Sequence, residues 1–201
     1  MQPRRPWTAS AAPALLALLW PLAASAHVVP ELGSGFATGF FHPLTGIDHV
    51  LAMLAVGMWG AQLGAPAIWV LPVAFPLVMS LGGVVGILGL PLPGVEPGIA
   101  LSVIVLGGCI ALDQRPPLWL AGLLVSVFAI FHGYAHGAEL PHQAAAVAYS
   151  AGFVLATGLL HLTGIGIGMV EHVRNGMRLL RAGGALISLA GFAIAWQLVQ
   201  R

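Results

Sequence analysis

Read for hydrophobic and polar positions, the chain is a succession of long apolar runs separated by short breaks that carry proline, glycine or charge. A helix needs roughly 20 predominantly apolar residues to cross a bilayer. The runs predict helices near Phe36–Leu63, Ala67–Leu90, Gly98–Leu112, Leu118–Gly137, Ala144–Gly168 and Leu180–Val199. Ahead of them, Arg4 and Arg5 precede an apolar stretch from Ala11 to Ala24 that ends in Ala24-Ser25-Ala26. That order of charge, apolar core and small residues is a secretory signal with a cleavage site. The expected fold is therefore an all-α integral membrane protein with about six transmembrane helices after a cleavable signal peptide. Residues 1–26 are read as the signal and 27–201 as a single polytopic transmembrane domain starting at His27. An uncleaved first helix is the alternative.

Composition sharpens this picture by exclusion. Hydrophobic residues make up 59% of the chain and charged residues 6%, against roughly 45–50% and 25% in soluble domains, so a soluble fold would lack a polar surface. Every basic residue is an arginine, and the seven arginines nearly balance the six acids. No basic stripe for nucleic acid exists, and the lipid bilayer is the expected environment. Cys109 is the single cysteine, which excludes an intramolecular disulfide and a thiolate-based zinc site.

Charge also orients the chain. The breaks at Asp113–Pro117 and Glu171–Arg181 hold Arg115, Arg174, Arg178 and Arg181, whereas Pro91–Pro97 and Leu140–Gln143 hold no arginine. Arginine-rich connections stay in the cytoplasm. The expectation is a bacterial inner-membrane protein whose mature N-terminus faces the periplasm.

Ionisable groups in the apolar interior cost roughly 2.5–3.5 kcal/mol each at a helix centre on insertion scales and mark functional sites. Here they are clustered. The first mature helix carries His42-Pro43-Leu44-Thr45-Gly46-Ile47-Asp48-His49. On a continuous helix His42 and His49, seven residues apart, share a face, with Asp48 beside the latter. Pro43 and Gly46 permit a local break that re-aims Asp48, either as a metal ligand or as the acceptor that fixes a ligating imidazole. The fourth helix ends in Phe131-His132-Gly133-Tyr134-Ala135-His136-Gly137-Ala138-Glu139. His132, His136 and Glu139 recur at i, i+4 and i+7, a stripe on which two imidazoles and a carboxylate can meet one ion. With both clusters in the outer half of the membrane, one site between the first and fourth helices is expected. Nitrogen and oxygen donors without thiolate suit zinc, copper, iron and nickel.

The two segments fit H-P-x-x-G-x-D-H and F-H-G-x-A-H-G-x-E, and in both the chain resembles the HupE/UreJ family. The resemblance extends over the mature length in the number and order of segments, and includes the signal peptide. It implies a membrane protein of hydrogenase- and urease-associated gene clusters, a permease for nickel or cobalt, with copper handled by some members. By it His42, Asp48, His49, His132, His136 and Glu139 are the implicated metal-binding residues, nickel is the first-choice ion with cobalt, copper or zinc as alternatives, and metalloenzyme maturation proteins are the downstream partners.

Secondary candidates follow from position. His27, if it becomes the N-terminus, offers an amine and an imidazole for capture, with Glu31 close behind and His142 in an outer connection. His161, deeper in the fifth helix, is either a ligand on an exit path, part of a proton relay, or a hydrogen-bonded core residue. Glu171, His172 and Arg174 read as an interfacial charge group, Met53 and Met58 as packing, and Trp69, Trp119 and Trp196 as interfacial anchors. The expected activity is ion permeation rather than catalysis. The competing readings are an intramembrane metalloenzyme, for which no H-E-x-x-H or G-x-S-x-G pattern exists in the sequence, and a metal-binding accessory protein.

Overall fold

The computed structural model describes residues 35–140 and 146–200, and all regular structure in them is helical. The segment read as a signal, residues 1–26, and His27, Glu31 and His142 lie outside the described residues. The helices are α1 (Gly35–Thr45), α2 (Ile47–Leu63), α3 (Ala67–Ile87), α4 (Val95–Ala111), α5 (Leu118–Ala138), α6 (Ala146–Gly168) and, after a 3₁₀ turn at Met169–His172, α7 (Gly176–Val199). Four of these, α3, α5, α6 with its 3₁₀ extension and α7, are long and apolar enough to cross a membrane. The α1–α2 pair is together long and apolar enough for a fifth span, broken in the middle, or for a re-entrant loop, so the described residues hold four to five candidate spans. At 17 residues α4 is apolar but shorter, about 25 Å against a hydrocarbon core of roughly 30 Å.

The first apolar run is not the single helix its hydropathy predicts. It bends by 83° between α1 and α2, at Gly46, whose backbone is extended with φ −94° and ψ 113°. A side chain at that position would push on the Asp48–His49 pair, since its Cβ would stand 2.8 Å from Asp48 Oδ1 and 3.1 Å from His49 Nδ1. His42 and His49 therefore do not share the face of a continuous helix; the bend, not helical periodicity, sets their relation. The last helix begins at Gly176 rather than near Leu180, because Arg178 and Arg181 depress the hydropathy of a segment that is helical all the same. Arg181 Nε donates to the Ala111 carbonyl at 2.7 Å, supplying a partner to the last turn of α4, where carbonyls lack intrahelical donors.

Packing places α2 at the centre. Nearly every residue from Ala52 to Gln62 is buried, with Met53, Val56 and Trp59 fully enclosed. Around it, α1 and α2 pack on α6, α3 packs on α5, and α4 packs on α7. The α3–α5 contact is backbone against backbone. A Cβ at Gly133 would collide with the Met79 carbonyl and one at Gly137 with the Gly83 carbonyl, which is how small residues hold membrane helices together where lipid supplies no hydrophobic drive. Facing outward, Val73, Leu77, Leu81, Val84, Leu123, Leu186, Leu189 and Phe192 are exposed. A surface this apolar matches hydrocarbon, and the chain is a multi-pass membrane protein. Trp69, Trp119 and Trp196 are exposed near helix ends, whereas Trp59 is buried and donates Nε1 to the Gln114 carbonyl at 3.0 Å. Arg115, Arg174, Arg178 and Arg181 sit where α4 ends and α7 begins, opposite the histidine motifs. There Arg115 reaches Asp113 at 2.9 Å and Glu171 at 3.6 Å.

Candidate metal site

Two structural elements deliver the histidines to one place. The bend at Gly46 lets α1 and α2 present His42 and His49 from different directions, and the last turns of α5 present His132 and His136 against them. The His42 and His136 rings lie 4.9 Å apart between centroids, His49 and His136 4.3 Å, and His49 and His132 4.6 Å. The main backbone partner of α5 is α3, so it is the imidazoles themselves that close the space between α5 and the α1–α2 bend.

Two sets of donors share His136. The outer set is His42, His136 and Glu139, each offering a ligand atom within 4.8 Å of the others. Glu139 caps α5 and its side chain is 55% exposed, while that of His42 is 21% exposed, so this set opens toward the surface. His42 Nε2 and Glu139 Oε2 stand 3.6 Å apart, too far for a hydrogen bond and close enough for small movements to bring both onto one ion, given metal–nitrogen bonds of about 2.0–2.1 Å for zinc. The inner set is His49, His132 and His136, all buried.

Hydrogen bonds fix which nitrogen of His49 and of His132 is free. The Asp48 carboxylate accepts at Oδ1 from the His49 backbone N–H and lies 2.8 Å from His49 Nδ1. A carboxylate can only accept, so Nδ1 carries the proton and the lone pair of Nε2 points away from Asp48. Nε2 is buried without a hydrogen-bond partner among the described residues. The Ser102 hydroxyl donates its one hydrogen to the Ile99 carbonyl at 2.6 Å and therefore accepts from His132 Nε2, 2.9 Å away. That leaves the lone pair of His132 Nδ1 free, and this atom too is buried without a partner among them. Both nitrogens of His136 are in the same condition. Each buried unpaired polar group costs about 1–3 kcal/mol. A set that concentrates so many could hold an occupant that accepts lone pairs, such as a metal ion.

Of the residues the sequence singles out, the structure brings His42, His49, His132, His136 and Glu139 together and places Asp48 behind His49. His161 lies apart from them, with the Phe75 ring 5.6 Å from His132 and 5.5 Å from His161. Met53 and Met58 are core residues, and Cys109 is a half-buried free thiol packed against the core. Sequence reasoning overlooked Ser102, the one hydroxyl in α4, and the α6 residues Tyr149 and Phe153. Tyr149 lies 5.8 Å from His42, and Phe153 lies 4.4 Å from His136. A hydroxyl in the middle of an apolar helix, whose other strongly polar side chain is Glu96 in the first turn, is the available signal for Ser102. For Phe153 there was none.

Comparison with known proteins agrees with the motifs. The family model described as HupE / UreJ protein matches residues 15–194. A protein of Rhizobium leguminosarum bv. viciae named Protein HupE is 44% identical over 180 residues, which cover 90% of this chain and 94% of that relative. No solved structure matches.

Proposed function

The chain belongs to the HupE/UreJ family, and on that premise we propose that it is a permease for a divalent transition-metal ion, with nickel the first choice and cobalt, copper or zinc the alternatives. The observation that carries this reading is the graded donor set, half-exposed at His42 and Glu139 and buried at His49 and His132, with His136 common to both parts. A permease needs a site that binds firmly enough to select and loosely enough to release. Shared ligands meet both demands, since an ion moving inward exchanges one donor at a time and is never stripped bare.

In this reading the ion is captured between Glu139 and His42, takes His136 as its next ligand, and passes to His49 and His132. Asp48 and Ser102 keep the protons of those two imidazoles on the nitrogens turned away from the ion, so the lone pairs meet it without a tautomer change. Imidazole and carboxylate donors suit borderline ions, and the preference for nickel comes from the family resemblance. The arginines at the opposite end support a cytoplasmic placement of that end. The histidine end then faces the periplasm of a bacterial inner membrane.

The test is metal content and flux on the same preparation. Protein with its native N-terminus is purified, its bound metal is identified by mass spectrometry, and that ion is followed into sealed vesicles. Saturable uptake that is lost in His132→Ala is the expected result. Tight stoichiometric metal with no flux would reassign the donors to an intramembrane metalloenzyme or to an accessory protein serving metalloenzyme maturation.

A further inference from the structure

Helix α6 carries a second set of buried polar atoms that the site above does not use. Tyr149, Phe153, Thr157 and His161 follow one another at intervals of four residues, so they form one stripe along the helix, and all four are buried. The stripe runs beside the imidazole cluster. Tyr149 packs on His42 and Phe153 on His136, while His161 packs on the Phe75 ring, which also meets His132. At the deep end of the stripe Thr157 is 0% and His161 1% exposed. Neither ring nitrogen of His161, nor Thr157 Oγ1, has a hydrogen-bond partner among the described residues. The nearest backbone partner of the His161 ring is the Pro72 carbonyl, which Pro76 leaves without an intrahelical donor. A ring N–H turned to that carbonyl leaves the lone pair of the other nitrogen free.

Depth along the bundle agrees. A Cβ at Gly57 would strike the His161 carbonyl, one at Gly164 the Leu54 carbonyl, and one at Gly168 would meet the Met58 backbone, so α6 runs alongside α2 in the same direction and His161 is level with the turn from Leu54 to Gly57. Those residues are five and eight positions beyond His49 on α2, about 8–12 Å deeper at 1.5 Å per residue. Gln62, further along α2, has a buried Oε1 without a partner among the described residues and an amide shared between the Ile110 carbonyl and Asp113. Polar groups thus recur inward from the imidazole cluster toward the arginine end.

We infer that Thr157 and His161 form a second transit site for the permeating divalent ion, reached from the imidazole cluster past Phe75. The inference rests on the permease reading for the identity of the ion. His161 supplies the nitrogen donor, Thr157 a hydroxyl one turn away, and water completes the coordination. The site is poorer in donors than the cluster, so it holds the ion more weakly and favours onward release.

The experiment uses the full chain, purified and reconstituted, with nickel(II) as the probe. His161→Gln and Thr157→Val are compared with the parent for equilibrium nickel binding and for uptake into proteoliposomes. A third variant, H161C in a C109A background, offers a thiolate whose nickel charge-transfer absorption appears only if the ion reaches position 161. Expected are cluster affinities within about twofold of the parent, which also reports correct folding, uptake lowered about tenfold or more in His161→Gln, the range typical of lost ligand-shell interactions, and the absorption band in H161C. Parent-like uptake in both His161→Gln and Thr157→Val, or no band in an H161C protein that binds nickel at the cluster, overturns the second site. A parent protein that binds nickel but does not transport it overturns the permease reading instead, and a band in H161C would still establish that the ion reaches position 161.

Discussion

Asp48 and His49 are chain neighbours whose side chains meet at 2.8 Å, carboxylate Oδ1 against imidazole Nδ1, while the same oxygen accepts the His49 backbone N–H. Adjacent residues inside a regular helix point about 100° apart and do not normally bond in this way. The pair forms because it opens α2 directly after the bend at Gly46, where the first backbone N–H groups have no intrahelical acceptor. Asp48 thereby satisfies an orphan N–H, complements the positive end of the helix, and sets the tautomer of His49. The consequences are open to measurement.

Asp48→Asn preserves the shape of the side chain and removes its charge. Loss of a partner that orients a ligating histidine costs about 10–100-fold in metal affinity. Nickel titration of the purified variant is expected to fall in that range, with the fold retained. Unchanged affinity would remove Asp48 from the site.

Ser102→Ala takes the acceptor away from His132 Nε2. A buried N–H then goes unpaired, which costs about 1–3 kcal/mol, and the ring is free to move its proton to the nitrogen that should meet the ion. Both thermal stability in detergent and nickel affinity should drop. Ser102→Thr, which keeps the hydroxyl, is expected to recover affinity more fully than stability, because its extra methyl enters a fully buried position.

Glu139→Gln changes the exposed end of the donor set and leaves the buried imidazoles alone. Uptake should need about tenfold more nickel to half-saturate, the equivalent of about 1.4 kcal/mol, with the maximal rate close to that of the parent. A lost maximal rate at unchanged half-saturation would place Glu139 in the later steps rather than in capture.

Gly133→Val should prevent assembly of α3 on α5. The added atoms collide with the Met79 carbonyl, and overpacking costs about 1–3 kcal/mol or more where only backbone can yield. Gly122→Val, on the same helix and with open space for 4 Å around the position a Cβ would take, is the control. Monodisperse yield by size-exclusion chromatography should collapse for the first and hold for the second.

Much of this molecule is legible from its sequence, because the bilayer narrows the choices. A chain with 59% hydrophobic residues and 6% charged ones must bond its own backbone in lipid, and helices do so within one segment. The positions of α3, α5 and α6 follow from the apolar runs, and α3 stops at Ile87, ahead of the positive φ of Gly89, which hydropathy does not register. The two histidine motifs stand out for the same reason, since a polar group in an apolar run is conspicuous by its cost.

Tertiary structure decided how the candidate ligands are arranged. Hydropathy treats Phe36–Leu63 as one run because a bend at Gly46 changes direction without changing polarity. That bend, and not a helical face, brings His42 and His49 to His136. The roles of Asp48 and Ser102 depend on hydrogen bonds whose directions no spacing rule contains, one between neighbours and one across 30 residues. Position in the chain leaves His161 open between ligand, relay and satisfied core residue, and only the packing of α6 against α2 and α3 leaves its nitrogens and the Thr157 hydroxyl unpartnered among the described residues. Composition dictates which residues are costly in a membrane, because that cost is a property of each residue; which of those costs are met by a partner is a property of the packed arrangement alone.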